Sequence, residues 1–282
     1  MPDRDLTDRT YVVTGANTGI GKETVRVLAG RGARVVLASR SPDKTRPVIE
    51  ELKQATGNDR LDYVELDLGD LASVRRAAAD LLARDLPIHG LINNAGLAGP
   101  RGTTKQGFEL AFGTNHLGHF LWTKLVLDRV RASGPARIVN VASASHYQAR
   151  RIDWDALRKP TASLTGLPEY AVSKVANVLF TRELAKRLPA SEVTAYALHP
   201  GAIASDIWQR RIPRPIVAIM KLFMKSVADG AKTTIYCATS PACAKETGLY
   251  YTDSKEKRPS RLAQDDAVAA ELWKRSEEWT QA

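Results

Sequence analysis

Thr10-Tyr11-Val12-Val13-Thr14-Gly15-Ala16-Asn17-Thr18-Gly19-Ile20-Gly21 is a short apolar, β-branched run that breaks directly into a turn with three glycines. The run reads as a strand. Lys22 to Ala29 continues with a helical pattern. Strand, glycine turn and helix in immediate succession are what a phosphate-binding loop needs. Glycines let the backbone approach a pyrophosphate, and the helix N-terminus offers N–H donors and the positive end of its dipole. The spacing is Gly-x-x-x-Gly-x-Gly, so Gly15, Asn17, Thr18, Gly19, Ile20 and Gly21 are the first candidate cofactor-binding residues.

Outward from this turn, Arg34 to Ser39 reads as a second strand. In a dinucleotide site this strand usually ends in an acid that grips the ribose 2′-hydroxyl, whereas an arginine suits a 2′-phosphate. Here it ends in Ser39-Arg40, so Arg40 points to NADPH/NADP+ rather than NADH; Lys22 and Lys44 stand close in sequence. Leu61 to Leu66 is a third strand with Asp67 at its end, placed to accept from an adenine amine. Asp67 is also a candidate N-cap for the helix that begins near Leu71, although Asp70 is better placed for that. Ile88 to Ile92 forms a fourth strand and runs into Asn93-Asn94-Ala95-Gly96. Small residues at the carboxyl end of a central strand leave room for a ligand where the sheet reverses order.

Phe108 to Val130 reads as one long helix with Asn115 inside it, a residue mildly unfavourable in mid-helix. Its neighbours His116 and His119 lack a carboxylate partner and read as packing or surface residues; no metal site is expected. Arg137 to Ala142 is a fifth strand with Ser143 directly after it. Ser145 to Pro168 reads as a polar loop with a short helical piece. Tyr170 to Leu188 is a helix that starts with Tyr170-Ala171-Val172-Ser173-Lys174. Tyrosine and lysine four apart share one helix face. The ammonium is expected to lower the phenol's pKa and make Tyr170 a proton carrier near neutral pH, as alcohol–carbonyl interconversion requires. Glu192 to Leu198 is a sixth strand ending in His199-Pro200-Gly201. Gly248 to Thr252 is a last strand, and Ala267 to Trp279 a terminal helix. Strands alternating with helices imply an α/β fold: a doubly wound parallel sheet of about seven strands with helices on both faces, in a single domain over 1–282.

The 282 residues are 44% hydrophobic and 26% charged, ordinary for a globular protein. No apolar run approaches the ~18 residues of a membrane-spanning helix, and Met1 to Arg9 lacks the apolar core of a signal peptide. The cytoplasm is the expected compartment. Cys237 and Cys243 read as reduced core thiols. A formal charge of +10 comes from 41 basic and 31 acidic residues spread along the chain. Without a basic tail or zinc-finger spacing, nucleic acid is not expected as a partner; the charge suits an anionic ligand, and an anionic membrane surface touched peripherally is a further candidate.

Taken together, Thr14-Gly15-x-x-x-Gly19-x-Gly21, Asn93-Asn94-Ala95-Gly96, Asn115, Ser143 and Tyr170-x-x-x-Lys174 resemble the short-chain dehydrogenase/reductase family, a Rossmann-type fold, over nearly the whole chain. Thr114-Asn115-His116-Leu117-Gly118-His119-Phe120, Asp229-Gly230-Ala231 and Gly248-Leu249-Tyr250-Tyr251 are similar to its retinol-dehydrogenase-like branch. The resemblance implies an NADP(H)-dependent oxidoreductase of a small apolar carbonyl or alcohol, retinoid- or steroid-like, acting as a monomer or homo-oligomer. It implies a catalytic tetrad of Asn115, Ser143, Tyr170 and Lys174. Tyr170 exchanges the proton, Ser143 holds the substrate oxygen, Lys174 holds the nicotinamide ribose, and Asn115 supports a proton-relay water. It also carries Leu68, Asn94, Ala95, Gly96, Pro200, Gly201, Ile203 and Ser205 to the cofactor. The segment 203–228 is then expected to be a substrate lid, with Ile216, Ile219, Met220, Phe223 and Val227 as its apolar face. The alternative is a nucleotide-binding regulatory protein of the same fold with little turnover, against which the intact tetrad argues.

Overall fold

The computed structural model describes residues 4–201 and 226–281. One eight-stranded sheet runs through it in the order β3-β2-β1-β4-β5-β6-β7-β8. The strands are β1 (Thr10–Thr14), β2 (Arg34–Ser39), β3 (Leu61–Glu65), β4 (Gly90–Asn93), β5 (Ala136–Val141), β6 (Val193–His199), β7 (Leu249–Thr252) and β8 (Lys255–Glu256). The first seven pair in parallel, and the two-residue β8 closes the edge antiparallel to β7. The expected seven strands are therefore present, with β8 as an addition too short to carry a periodic signal. The sheet reverses direction between β1 and β4, which opens a crevice at the carboxyl ends of those two strands.

Helices cover both faces because successive side chains of each strand point to opposite sides. Val13, Val35, Leu37, Ile92 and Val139 face one layer, built on α1 (Gly19–Gly30), α2 (Pro42–Thr56) and α6 (Val227–Thr239). Val12, Val36, Leu91 and Ile138 face the other, built on α3 (Leu71–Ala83), α4 (Gly118–Ala132) and α5 (Leu167–Arg187). Outside α5 lies α7 (Asp266–Thr280), whose Trp273 stacks on Phe180 at 5.8 Å and meets Phe120 edge-on at 5.1 Å. Cys237 and Cys243 are buried free thiols. Among the described residues no helix is long and apolar enough to cross a membrane.

Two expectations need correction. The long helix over 108–130 is not continuous: a single turn (Leu110–Phe112) widens into a π-helical turn over Gly113–Leu117 before α4 begins. The fourth strand starts at Gly90 rather than Ile88, and glycine at that position leaves room for the Tyr11 ring on β1, from which a Cβ would lie 2.3 Å away. The polar stretch 145–168 holds two 3-10 turns, Ala144–Gln148 and Ala156–Arg158. Ile203, Ser205 and nearly all of the expected lid, with Ile216, Ile219, Met220 and Phe223, lie outside the described residues.

Candidate active site

A cleft of about 400 Å³ opens at the carboxyl ends of β1, β4 and β5. Its floor is the glycine turn, Gly15 with Asn17 to Gly21, and its walls are Asn94, Ala95 and Gly96, Val141 and Ala142, Tyr170 and Lys174, Pro200 and Val227. Most of the residues singled out in the sequence thus meet in one place.

The turn's geometry comes from close approaches that only glycine permits. Gly15 has φ +63°, and a Cβ there would sit 2.9 Å from the Ala95 Cα. A Cβ on Gly21 would sit 2.2 Å from the Gly15 carbonyl oxygen and 2.6 Å from Asn94 Nδ2. The helix N-terminus is consequently drawn onto the turn with its first N–H groups facing the cleft, which fits a dinucleotide pyrophosphate. Asn94 holds the turn by donating Nδ2 to the Thr14 carbonyl at 2.8 Å and to that of Gly15 at 3.3 Å. Thr14 answers through its hydroxyl, which accepts the Asn94 N–H at 3.0 Å and the Ala95 N–H at 2.9 Å.

Tyr170 stands in the first turn of α5. That helix starts here because Gly166 takes φ +67° against the Gly99 backbone, Pro168 suits its first turn, and Glu169 accepts the N–H groups of Ala162 and Ser163. Lys174 follows one turn later with Nζ 5.6 Å from the Tyr170 ring centroid. Its ammonium donates to the Val141 carbonyl at 2.7 Å, and burial pulls its pKa down to about 7. The Tyr170 phenol is buried as well. Burial pushes its pKa above the ordinary value, opposed only by a hydrogen bond with Ser143. The expectation of a lowered phenol pKa is therefore corrected: desolvation outweighs any help from Lys174, and Tyr170 is held protonated. Ser143 is extended at the end of β5, its hydroxyl fixed by the Ser145 N–H at 3.1 Å.

Asn115 does not line the cleft. It sits fully buried in the π-helical turn, and its amide is spent on neighbours: Nδ2 donates to the Leu97 carbonyl at 3.0 Å and to Ser173 Oγ at 2.9 Å, while Oδ1 accepts the Leu97 N–H at 2.9 Å. The side chain is a brace between the segment after β4 and α5. Opening a helix by one residue turns a side chain off its regular path, a device common at functional positions.

Arg40 is exposed at the tip of β2, with no carboxylate paired to it among the described residues. Ser41 next to it caps α2, accepting the Lys44 N–H. Lys22 is not free for a ligand, because Glu51 holds its ammonium at 2.7 Å. Asp67 accepts the Gly69 N–H at 2.9 Å, and the cap of α3 is indeed Asp70, which accepts the Ala72 N–H. Leu68 is buried where its carbonyl meets Gly118, and Gly201 takes φ +97°. Arg40, Asp67, Leu68 and Gly201 lie beyond the cleft wall.

Two lining residues were not foreseen, Val141 and Ala142, whereas Val227 was already singled out on the expected lid's apolar face. The signal for the first two was their place at the carboxyl end of β5, which matches that of Asn94 to Gly96 on β4. His146 was also missed. It accepts the Ser260 N–H on Nε2 at 3.1 Å, so its proton is on Nδ1, which donates to the Ser143 carbonyl at 2.7 Å. Among the described residues no group of three His, Cys, Asp or Glu side chains gathers to hold a metal.

With this geometry in hand, comparison with known proteins is direct. The model of the short chain dehydrogenase family matches residues 9–153. Mouse retinol dehydrogenase 11 is 42% identical over 270 residues, covering 95% of this chain and 85% of its own length. Human retinol dehydrogenase 12 is 42% identical, with 95% and 84% covered. The crystal structure of an uncharacterized protein from Mycobacterium paratuberculosis superposes with a TM-score of 0.77 at 34% identity, over 99% of this chain and 96% of that one. A short chain dehydrogenase from Escherichia coli in complex with NADPH shares the fold, with a TM-score of 0.71 at 22% identity over 90% of this chain and all 100% of that one. The chain belongs to the short-chain dehydrogenase/reductase family and is an oxidoreductase of the retinol-dehydrogenase-like kind.

Proposed function

We propose that the protein is an NADPH-dependent reductase of an apolar aldehyde or ketone, with a retinoid aldehyde as the leading candidate. The observation that carries this reading is the buried Tyr170 phenol, one helical turn from Lys174 and opening on the same cleft as the glycine turn. From there the phenol can give the carbonyl oxygen the proton that reduction requires. Bound NADPH supplies the hydride. Ser143 donates to the substrate oxygen and fixes it within reach of Tyr170. Lys174, anchored on the Val141 carbonyl, keeps its remaining donors for the cofactor ribose. Ile20, Val141, Ala142 and Val227 give the cleft an apolar lining that excludes water from the reacting carbon. The retinoid rests on the names of the relatives, retinol dehydrogenases 11 and 12.

The test is loss of NADPH absorbance with all-trans-retinal, medium-chain aldehydes and a steroid ketone. Reduction of at least one apolar carbonyl supports the reading; binding of NADPH with no carbonyl reduced replaces it with a nucleotide-binding regulatory role.

The preference for NADPH rests on Arg40, a cation without a competing carboxylate where an acid would otherwise select NADH. Arg40→Ala is expected to weaken NADPH by roughly 10–100-fold, the size of a charge-assisted hydrogen bond, and to leave NADH nearly unchanged. Fluorescence titration with both nucleotides checks it; equal weakening of the two removes Arg40 from the 2′-phosphate.

A further inference from the structure

His119 lies fully buried on α4, one turn after Asn115, and touches nothing in the cleft itself. Its Nε2 is 2.8 Å from Thr14 Oγ1 and its Nδ1 is 3.0 Å from the Asn115 carbonyl oxygen. The hydrogen-bond inventory leaves one assignment. The Thr14 hydroxyl already accepts two N–H groups, from Asn94 and Ala95, which uses both of its lone pairs. Its single proton must therefore go outward, and among the described residues the acceptor within reach is Nε2. Nε2 is then bare, and Nδ1 carries the hydrogen that the Asn115 carbonyl accepts. The other tautomer would set a lone pair against the carbonyl and bring a third donor to the hydroxyl. An imidazolium would bring that third donor too.

We infer that His119, locked as the neutral Nδ1–H tautomer, is a positioning residue that couples the cofactor-binding turn to the proton-transfer side of the site. On one side it orients Thr14, and through Thr14 the Asn94–Ala95 backbone against which Gly15 and Gly21 pack. On the other it holds the main chain of Asn115, whose side chain braces Leu97 and Ser173 beside Tyr170 and Lys174. Because the two bonds leave from different ring atoms, they can be cut separately. Burial holds the ring's pKa down to about 4, which agrees with a neutral imidazole; the ionisable groups that act on these rings are Lys174 from α5 and His116 from the same helical stretch. The inference rests on the reading of the cleft as an NADPH-dependent reductase site.

The test uses His119→Asn, which keeps a donor at the Nδ1 position, and His119→Gln, which keeps an acceptor at the Nε2 position. The Asn variant frees Thr14 and is expected to shift mainly the NADPH Kd, roughly tenfold upward. The Gln variant frees the Asn115 carbonyl and is expected to shift mainly kcat, roughly tenfold downward, the usual size for a buried polar group left unpaired. Equal losses of Tm in both variants, with Kd and kcat at wild-type values, overturn the coupling and leave His119 a packing residue. A spectroscopic readout on the wild type does not depend on variants folding. Histidine side-chain NMR on 15N-labelled protein should show the His119 ring, assigned by its Thr14 contact, protonated on Nδ1 and unchanged from pH 8 to pH 5. An Nε2–H state of that ring, or its titration near pH 6.5, overturns the assignment. The NADPH titration and the spectrum need no substrate. If wild-type protein reduces no carbonyl, the proposed reaction fails while these two measurements still decide the role of His119.

Discussion

Tyr170→Phe is expected to lower turnover by roughly 10²–10⁴-fold, the range spanned by loss of a general acid, while NADPH still binds. The substitution removes one hydroxyl and leaves the ring in place beside Lys174, so the packing of α5 does not change. What disappears is the proton that the substrate oxygen must receive. The Ser143 hydroxyl cannot replace it, because a serine hydroxyl is far too weak an acid near neutral pH, and Lys174 is committed to the Val141 carbonyl. Steady-state rates on the best carbonyl from the panel, with NADPH affinity measured separately, give the answer. A variant that kept more than about a tenth of the wild-type rate would take the proton-donor role away from Tyr170, whereas a matching loss of cofactor binding would point to a general collapse of the cleft.

The second large effect is on stability against acid. His116 and His119 are both fully buried, and burial holds their pKa values down to about 3 and about 4. Unfolding releases them to water, where histidine titrates near ~6.5. Below that pH the unfolded chain binds two protons there that the folded chain refuses, and His89 and His146, whose pKa values burial also lowers, add to the difference; stability is fully present above about pH 6.5 and is lost as pH falls. The slope follows from linkage: about 1.4 kcal/mol per pH unit per proton, hence roughly 2–3 kcal/mol per unit once both are engaged. Several carboxylates, among them Asp5, Asp70 and Glu169, are held below their ordinary values and add to the loss only at lower pH. The window from pH 6.5 to pH 5 therefore isolates the histidines. Urea unfolding across that window is the measurement. His116→Phe, placed among Phe112, Phe120 and Phe180, should reduce the slope by one proton's share, about 1.4 kcal/mol per pH unit; a slope that did not change would mean that the ring already exchanges protons in the folded protein.

Much of this was legible in the chain because its strongest signals are local. A β-branched run ending in glycines, and apolar runs of four to six residues between helices, depend on neighbours in sequence, and the doubly wound parallel sheet followed from their alternation. What the sequence could not show depends on partners far away. Asn115 stood out as an awkward residue in a helix, but its bonds go to Leu97 and Ser173, eighteen and fifty-eight positions away. His119 read as a packing residue because Thr14 lies 105 positions upstream, where periodicity carries no trace of it. The Tyr170 pKa was misjudged for a similar reason. Spacing shows that an ammonium lies near the phenol, but desolvation is set by the whole fold around it.

The packing of α7 has a consequence for how the enzyme is made. His116, on the π-helical turn that carries Asn115, bonds through Nε2 to Ser276 at 3.0 Å, and Phe120 and Phe180 meet Trp273. These partners follow Lys174 in the chain by roughly a hundred residues. Until they emerge from the ribosome, the helices around Asn115 keep an apolar flank open to solvent, and a growing chain can hold its glycine turn long before it can brace its proton-transfer side. Emergence of α7, rather than synthesis of the catalytic residues themselves, is then the event that completes this brace. A nascent chain stalled before residue 266 should bind chaperones at that flank.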